Sequence, residues 1–241
     1  MPLADAIATP DGKRRYVRRL FATIADRYDL ITVLLSYGQD RRWKRKLVEL
    51  AAPHAGARAV DLATGTGDIA FQLATAGADV VGLDVTHRMI DLAHAKRPAG
   101  HSPSFMVGDM VALPFVDGSF DIATAGYGLR NVPDLSVAIA EIHRVLKAGG
   151  IALSLDFNRP SNPIVRAVYL AYLNVTGALL GWMLHGDPDT YRYIPASIRN
   201  YPGAKGVAQM FEAQGFDRVE CRAVLGGLMT IHIAHKSRGV A

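Results

Sequence analysis

The sequence predicts a doubly wound α/β domain built on a mostly parallel sheet, and three observations carry that prediction. Short apolar runs of strand length alternate with segments of helical periodicity between residues 58 and 157, the pattern of a parallel sheet covered on both faces. A glycine-rich turn joins the first strand to the first of these helices. The chain closes on two successive strand-like runs that suit an antiparallel edge hairpin. With 241 residues, 50% of them hydrophobic, the chain can build one sizeable core and is read as a single domain over 1–241.

Residues 1–12 read as frayed. Over 13–53, Val17, Leu20, Phe21 and Ile24 recur at helical spacing, as do Leu47, Leu50 and Ala51, with a break near 36–40. This N-terminal region is expected to form a helical lid, ended by Pro53 and Gly56. The cofactor-binding core spans 54–157. Its strands are predicted at 58–62, 79–83, 104–107, 120–125 and 151–157, and its helices at 69–75, 88–96 and 135–146. A substrate-side insertion covers 158–203. Its uncharged stretch 167–184 approaches the length of a membrane span. Asn174, Thr176, Gly177 and Gly181 interrupt it, so a helical cover over the active site is the preferred reading. A closing helix at 206–213 and strands at 218–224 and 228–235 complete the 204–236 segment.

The formal net charge is +5, and much of the excess lies early, in Lys13, Arg14, Arg15, Arg18 and Arg19, then Arg41, Arg42, Lys44, Arg45 and Lys46. Such a field suits an anionic lipid surface or a merely solvated face. No aromatic-rich nucleic-acid motif accompanies it, so no nucleic-acid partner is expected. A single cysteine, Cys221, excludes an intrachain disulfide, and no metal-ligand spacing occurs. A reducing, cytoplasmic setting follows as an expectation.

The run from Val60 to Asp68 follows strand one and opens a helix. Gly65, Gly67 and Ala70 fit the dinucleotide pattern, and Asp84 ends strand two, where a carboxylate accepts from ribose hydroxyls. A nicotinamide oxidoreductase is therefore one reading. Three features favour S-adenosylmethionine instead. Asp61, ahead of the glycines, suits an ammonium or sulfonium and would repel a pyrophosphate. After strand three, Asp109 offers an acceptor for an adenine amino group, and Met110 a surface for its ring. Finally, the strings LPFVDGSFD and RVLKAGG, which lead into strands four and five, resemble the post-core motifs of class I methyltransferases. The expected cofactor contacts are Asp61, Gly65, Thr66, Gly67, Asp84, Val85, Asp109, Met110 and Gly126.

Longer strings are more discriminating. FATIADRYDLIT at 21–32, DRRWKRKLV at 40–48, YGLRNV at 127–132, DTYRYIPASIRNYP at 189–202 and AQGF at 213–216 resemble the UbiE/MenG family of ubiquinone and menaquinone C-methyltransferases. The resemblance runs from about residue 15 to 236. It implies a class I, Rossmann-like methyltransferase fold. It further implies methyl transfer from S-adenosylmethionine to a ring carbon of a polyprenylated quinol, demethylmenaquinol or 2-polyprenyl-6-methoxy-1,4-benzoquinol or both, with another small aromatic or lipid acceptor as the alternative. The family's donor contacts fall on Thr66, Asp84, Asp109 and Met110. Two departures stand out: Gly126 replaces a serine, and Thr64 replaces the first glycine of the family's Gly-Gly-Thr-Gly loop.

A quinol carbon becomes a competent nucleophile when an adjacent hydroxyl ionises, and a free phenol has a pKa of about 10. A fixed cation at the carboxyl edge of the sheet would stabilise the phenolate, and Arg130 is the candidate. Asn131 is a candidate for holding a quinol oxygen, Tyr193 for a hydrogen bond to it, and His232 for the base. Tyr28, Asp29, Tyr191 and Arg192 are expected at the substrate lid, with the 167–184 segment guiding the prenyl tail. No metal is required. The expected partners are the lipid quinol, the inner face of a membrane touched peripherally through the basic helices, and a second copy in a homodimer.

Overall fold

The structure is a computed structural model and describes residues 3–36, 38–97 and 103–238. Met1, Pro2 and Tyr37, which fall within the predicted frayed start and the predicted helix break, lie outside the described residues.

The sheet has seven strands: β1 (Arg58–Leu62), β2 (Asp79–Asp84), β3 (Ser104–Val107), β4 (Phe120–Gly126), β5 (Leu146–Phe157), β6 (Phe216–Val224) and β7 (Met229–Lys236). Their spatial order is β3-β2-β1-β4-β5-β7-β6. The first five are parallel, while β7 runs antiparallel between β5 and β6. The hairpin therefore lies at the edge as expected, with its second strand inside and its first outermost. Strand five begins at Leu146 instead of 151, because Gly149 takes a φ of +79° and lets the chain bulge between Leu146 and Ile151.

Four helices precede the sheet: α1 (Leu3–Ala6), α2 (Pro10–Ile24), α3 (Tyr28–Leu35) and α4 (Asp40–Ala51). The expectation of a frayed start is overturned. Thr9 Oγ1 caps the Gly12 N–H at 3.1 Å and Pro10 occupies the first helical turn, a paired start signal. Next come α5 (Asp68–Thr75), α6 (His87–Ala95) and α7 (Leu135–Val145) between strands. The insertion forms α8 (Pro163–His185) and α9 (Tyr193–Asn200), and α10 (Gly203–Ala213) leads into the hairpin.

Side chains alternate between the two faces of the sheet. One core gathers Ala59, Ile122, Leu153, Ile231 and Ile233 under Leu47 of α4 and Leu73 of α5. The other gathers Val60, Ala123, Ala152 and Ala234 under Ile139 and Ile142 of α7 and Val207 and Phe211 of α10. With both faces covered, the carboxyl ends of β1, β2, β3 and β4 meet at one edge, where ligands bind in open α/β sheets.

Candidate active site

At that edge the turn after β1 is shaped by two glycines with positive φ, Gly65 (+56°) and Gly67 (+91°). The Gly65 N–H donates to Asp84 Oδ2 at 2.9 Å, and the Thr86 N–H donates to Asp84 Oδ1 at 2.8 Å. Burial nonetheless holds the Asp84 carboxyl above its ordinary range. A cavity of about 70 Å³ opens here, lined by Ala63, Gly65, Asp84, Val85, Asp109, Met110, Gly126, Gly128 and Asn131. Helix α2 lies over it through Arg14, Val17 and Phe21. A Cβ on Gly128 would come within 2.8 Å of Ala63 Cβ and 3.2 Å of Met110 Cε, so the wall is drawn close around the cavity.

A second cavity, of about 440 Å³, adjoins the first. Phe21, Tyr28 and Tyr127 line both. The rest of the second is mainly apolar: Leu20, Ile24 and Ile31 on one side, Phe157, Leu173, Leu228 and Met229 on the other. Its polar groups are few. Arg130 is ion-paired with Asp156 at 2.7 Å, donates to the Tyr127 carbonyl at 2.9 Å, and stacks over Phe157 at 4.8 Å. Tyr193 is buried against Tyr16, with its hydroxyl unpartnered among the described residues. Tyr191 meets His185 Nε2 at 2.9 Å through its hydroxyl.

A chain of polar contacts fastens the N-terminal helices to this edge. Tyr127 donates to Asp40 at 2.7 Å, Asp40 pairs with Lys44 at 2.7 Å, and Lys44 pairs with Asp68 at 2.9 Å. Lys96 bonds both Asp29 and Thr66, and Thr66 donates to Asp29 at 2.7 Å. Burial lowers the Lys44 pKa, but Asp40 and Asp68 more than reverse that, so its charge is held firmly. From α2, Lys13 donates to the Arg130 carbonyl at 2.9 Å, and burial together with the Arg130 charge brings it down to about 8.

Known proteins can now be set beside this geometry. The sequence pattern of the ubiE/COQ5 methyltransferase family matches residues 9–236. The chain belongs to that family. It is 39% identical to a demethylmenaquinone methyltransferase of Thermus thermophilus over 220 residues, covering 90% of this chain and all of that protein. It is 38% identical to a protein of the same name from Roseiflexus castenholzii, covering 96% and 98%. A magnesium protoporphyrin IX methyltransferase from Synechocystis, solved with S-adenosylhomocysteine, superposes with a TM-score of 0.65 at 19% identity over 93% of this chain and all of that one. A Thermotoga maritima methyltransferase superposes with a TM-score of 0.67 at 17% identity, covering 92% and 100%. The fold is that of the class I methyltransferases, and S-adenosylmethionine is the methyl donor of this ubiE/COQ5 enzyme.

The residues present fit that donor. Asp84 ends β2 with a buried carboxylate facing the cavity, and among the described residues Asn131 Oδ1 is buried there without a partner and Gly65 has only Tyr28 near its missing Cβ, at 3.6 Å. Val85, Asp109, Met110 and Gly126 also line the cavity.

Several expected roles need correction. Asp61 does not line the donor cavity: its oxygens accept from Thr64 at 2.6 Å and Thr124 at 2.7 Å beneath the loop, and burial pushes it up to about 6. The departure at Thr64 thus holds Asp61 in place. Gly67 serves packing, since a Cβ there would come within 2.8 Å of both Phe105 and Phe71. Thr66 faces the lysine–aspartate network instead of the main cavity. At Gly126, the Ile69 Cδ1 methyl stands 2.6 Å from where a Cβ would be and fills the space of the family's serine. Asp109 is already paired with Arg14 of α2, at 3.0 Å. Arg130 is not a bare cation, because Asp156 neutralises it. Asn131 lines the smaller cavity and not the larger one.

His232 lies in neither cavity. Ser154 (3.3 Å) and the Ala204 carbonyl (3.0 Å) occupy its two ring nitrogens, and burial lowers its pKa. Asp29 is tied to Lys96 and Thr66 outside the second cavity, and Arg192 forms an exposed pair with Asp189. Tyr28, Tyr191 and Tyr193 line the second, mainly apolar cavity. Sequence reasoning missed Tyr127, whose φ of +58° is uncommon for a bulky residue, and Phe21, which closes both cavities from α2. The aromatic position at the head of the 127–132 string was the available signal for Tyr127.

Proposed function

We propose that this chain methylates a ring carbon of a polyprenylated quinol, with demethylmenaquinol as its acceptor. One observation carries the reading: a mainly apolar cavity of about 440 Å³ shares a wall with the donor cavity and places its few polar groups around Arg130, Tyr127 and Tyr193. Apolar walls suit a prenyl chain, and the polar end suits ring oxygens. The names of the relatives favour a naphthoquinol over a benzoquinol.

Asp84 would hold the ribose of the donor, with Met110 and Val85 against its adenine. When bound, the donor supplies an electrophilic methyl on a sulfonium. The protein's part is positioning and charge. The shared wall of Phe21, Tyr28 and Tyr127 aligns the ring carbon toward the donor side, where an in-line approach draws much of the rate from orientation. The Tyr193 hydroxyl has its pKa raised by burial, so at neutral pH it keeps its proton and donates to the oxygen of the ionised quinol, whose charge is spent as the carbon–carbon bond forms and whose ring C–H proton is then lost to solvent. Asp156 fixes the Arg130 guanidinium, whose Nε is unpartnered among the described residues, at the cavity wall. The apolar lining excludes water and strengthens both effects. Peripheral attachment to the inner face of a membrane belongs to the same reading, because the long-tailed acceptor resides there.

Purified protein given labelled S-adenosylmethionine and reduced demethylmenaquinone should yield carbon-bound label on the naphthoquinol ring. Absence of label on this quinol and on a demethylated benzoquinol, with the donor still protecting the fold against heat, would overturn the acceptor assignment.

A further inference from the structure

Helix α8 carries an apolar stripe that the fold leaves uncovered. Ile164, Val168, Ala171, Val175, Leu179 and Trp182 follow helical spacing along one side of the helix and are all exposed, Ile164 at 73%, Val175 at 70% and Trp182 at 65%. The helix is 23 residues long and contains no aspartate or glutamate. It is the one helix among the described residues long and apolar enough to cross a membrane, and only 28% of its most apolar window is buried.

We propose that this stripe seats the protein on the surface of a lipid bilayer, with the mouth of the acceptor cavity pressed against the lipid. The proposal rests on the lipid-quinol reading above and adds the surface that meets the membrane. Ile164, Val165 and Val168 both line the acceptor cavity and stand exposed, so the cavity opens at the head of the stripe. Leu225 does the same from the β6–β7 turn. Helix α3, which lines the cavity with Ile31 and Leu35, exposes Leu30, Val33 and Leu34. Apolar side chains thus surround the opening on three elements, and a prenyl chain passing through them never crosses water.

The charge agrees. Arg15, Arg18 and Arg19 on α2 and Arg41, Arg42 and Arg45 on α4 are exposed and have no ion-pair partner among the described residues, so their charge is free to attract anionic headgroups. The helix lies on the bilayer instead of through it. A Cβ on Gly181 would sit 2.5 Å from the Asp187 carbonyl, and Leu170 and Leu173 are buried, so the opposite side is closely packed into the protein.

Trp182 reports the contact directly, since the only other tryptophan, Trp43, is buried. Full-length protein is mixed with vesicles of phosphatidylglycerol and phosphatidylcholine, some bearing brominated acyl chains. Trp182 fluorescence should shift to the blue and be quenched by the bromines, and Trp182→Phe should remove that signal. V175D/L179D, which alters no cavity residue, should weaken vesicle binding by at least about tenfold. It should leave methylation of a short-tailed quinol in solution unchanged, so loss of that activity in the parent protein would count against the acceptor reading alone. Three outcomes would overturn the surface assignment: binding without quenching; salt-sensitive binding that V175D/L179D does not alter; or no vesicle binding together with a concentration-dependent dimer that V175D/L179D dissociates.

Discussion

Replacing Asp156 with alanine isolates the cost of leaving Arg130 unpaired. The two side chains are 1% and 6% exposed and meet at 2.7 Å. Asp156 also accepts from the backbone N–H of Arg130 at 3.1 Å and from that of Phe157 at 2.8 Å. Removing one member of such a pair costs about 3–5 kcal/mol, because the remaining charge keeps its desolvation penalty without its partner. For a chain of this size each kcal/mol moves the melting temperature by about 2–4 °C, so Asp156→Ala should melt about 6–20 °C lower. The double variant R130M/D156L removes both charges and keeps the volume filled, and such exchanges are often neutral. It should regain most of the lost melting temperature, while its methyl transfer stays low through loss of the guanidinium. Melting followed by circular dichroism, with turnover measured below the transition, tests both parts. A shift below about 2 °C in Asp156→Ala, or a double variant no more stable than the single, would refute the argument that an uncompensated buried charge is the dominant cost.

Asp61 sets a pH dependence of unusual sign. It titrates at about 6 in the folded protein against 3.8 in a free carboxyl, raised by burial. Between those values the folded state binds more protons than the unfolded state, so stability falls as pH rises through the window, and the full cost, about 3 kcal/mol, is present above pH 6. Asp61→Asn should flatten that part of the stability profile in urea unfolding, and an identical profile in parent and variant would contradict the assignment. Gly67→Ala combines a positive φ with contacts of 2.8 Å to two phenylalanines, so it should lower the unfolding free energy by about 2–5 kcal/mol, read from the denaturant midpoint. His232→Gln should keep its turnover per folded molecule. Removal of a general base costs about 100-fold or more, and a fall of that size would return His232 to the reaction.

The sheet was legible because each parallel strand is an apolar run with a turn signal at its end, and Asp84 and Gly65 were legible because they stand at those ends. Roles that depend on which way a strand faces were not. His232 reads as a free titratable group in sequence, but antiparallel register sets it opposite Ser154 and under α10. Asp61 reads as a ligand for a cation until Thr64 and Thr124 are seen to occupy both its oxygens. A helical lid over the N-terminal region was legible, but the contact that seats α2 on the sheet edge was not. Lys13 and Arg130 meet across 117 positions, and nothing local to either residue announces the pairing. The exposed side of α8 was hidden by the helix's overall apolarity, which looks the same whether a protein covers it or not.

Phe21, Tyr28 and Tyr127 each present a surface to both chambers, and Tyr127 is pinned at its hydroxyl by Asp40 and at its carbonyl by Arg130 and Asn131. Any rotation that one ligand forces on this partition is felt by the other. On the proposed reading of the two cavities, their occupancies are thermodynamically linked. Whatever factor the acceptor imposes on donor affinity, the donor must impose on acceptor affinity in equal measure.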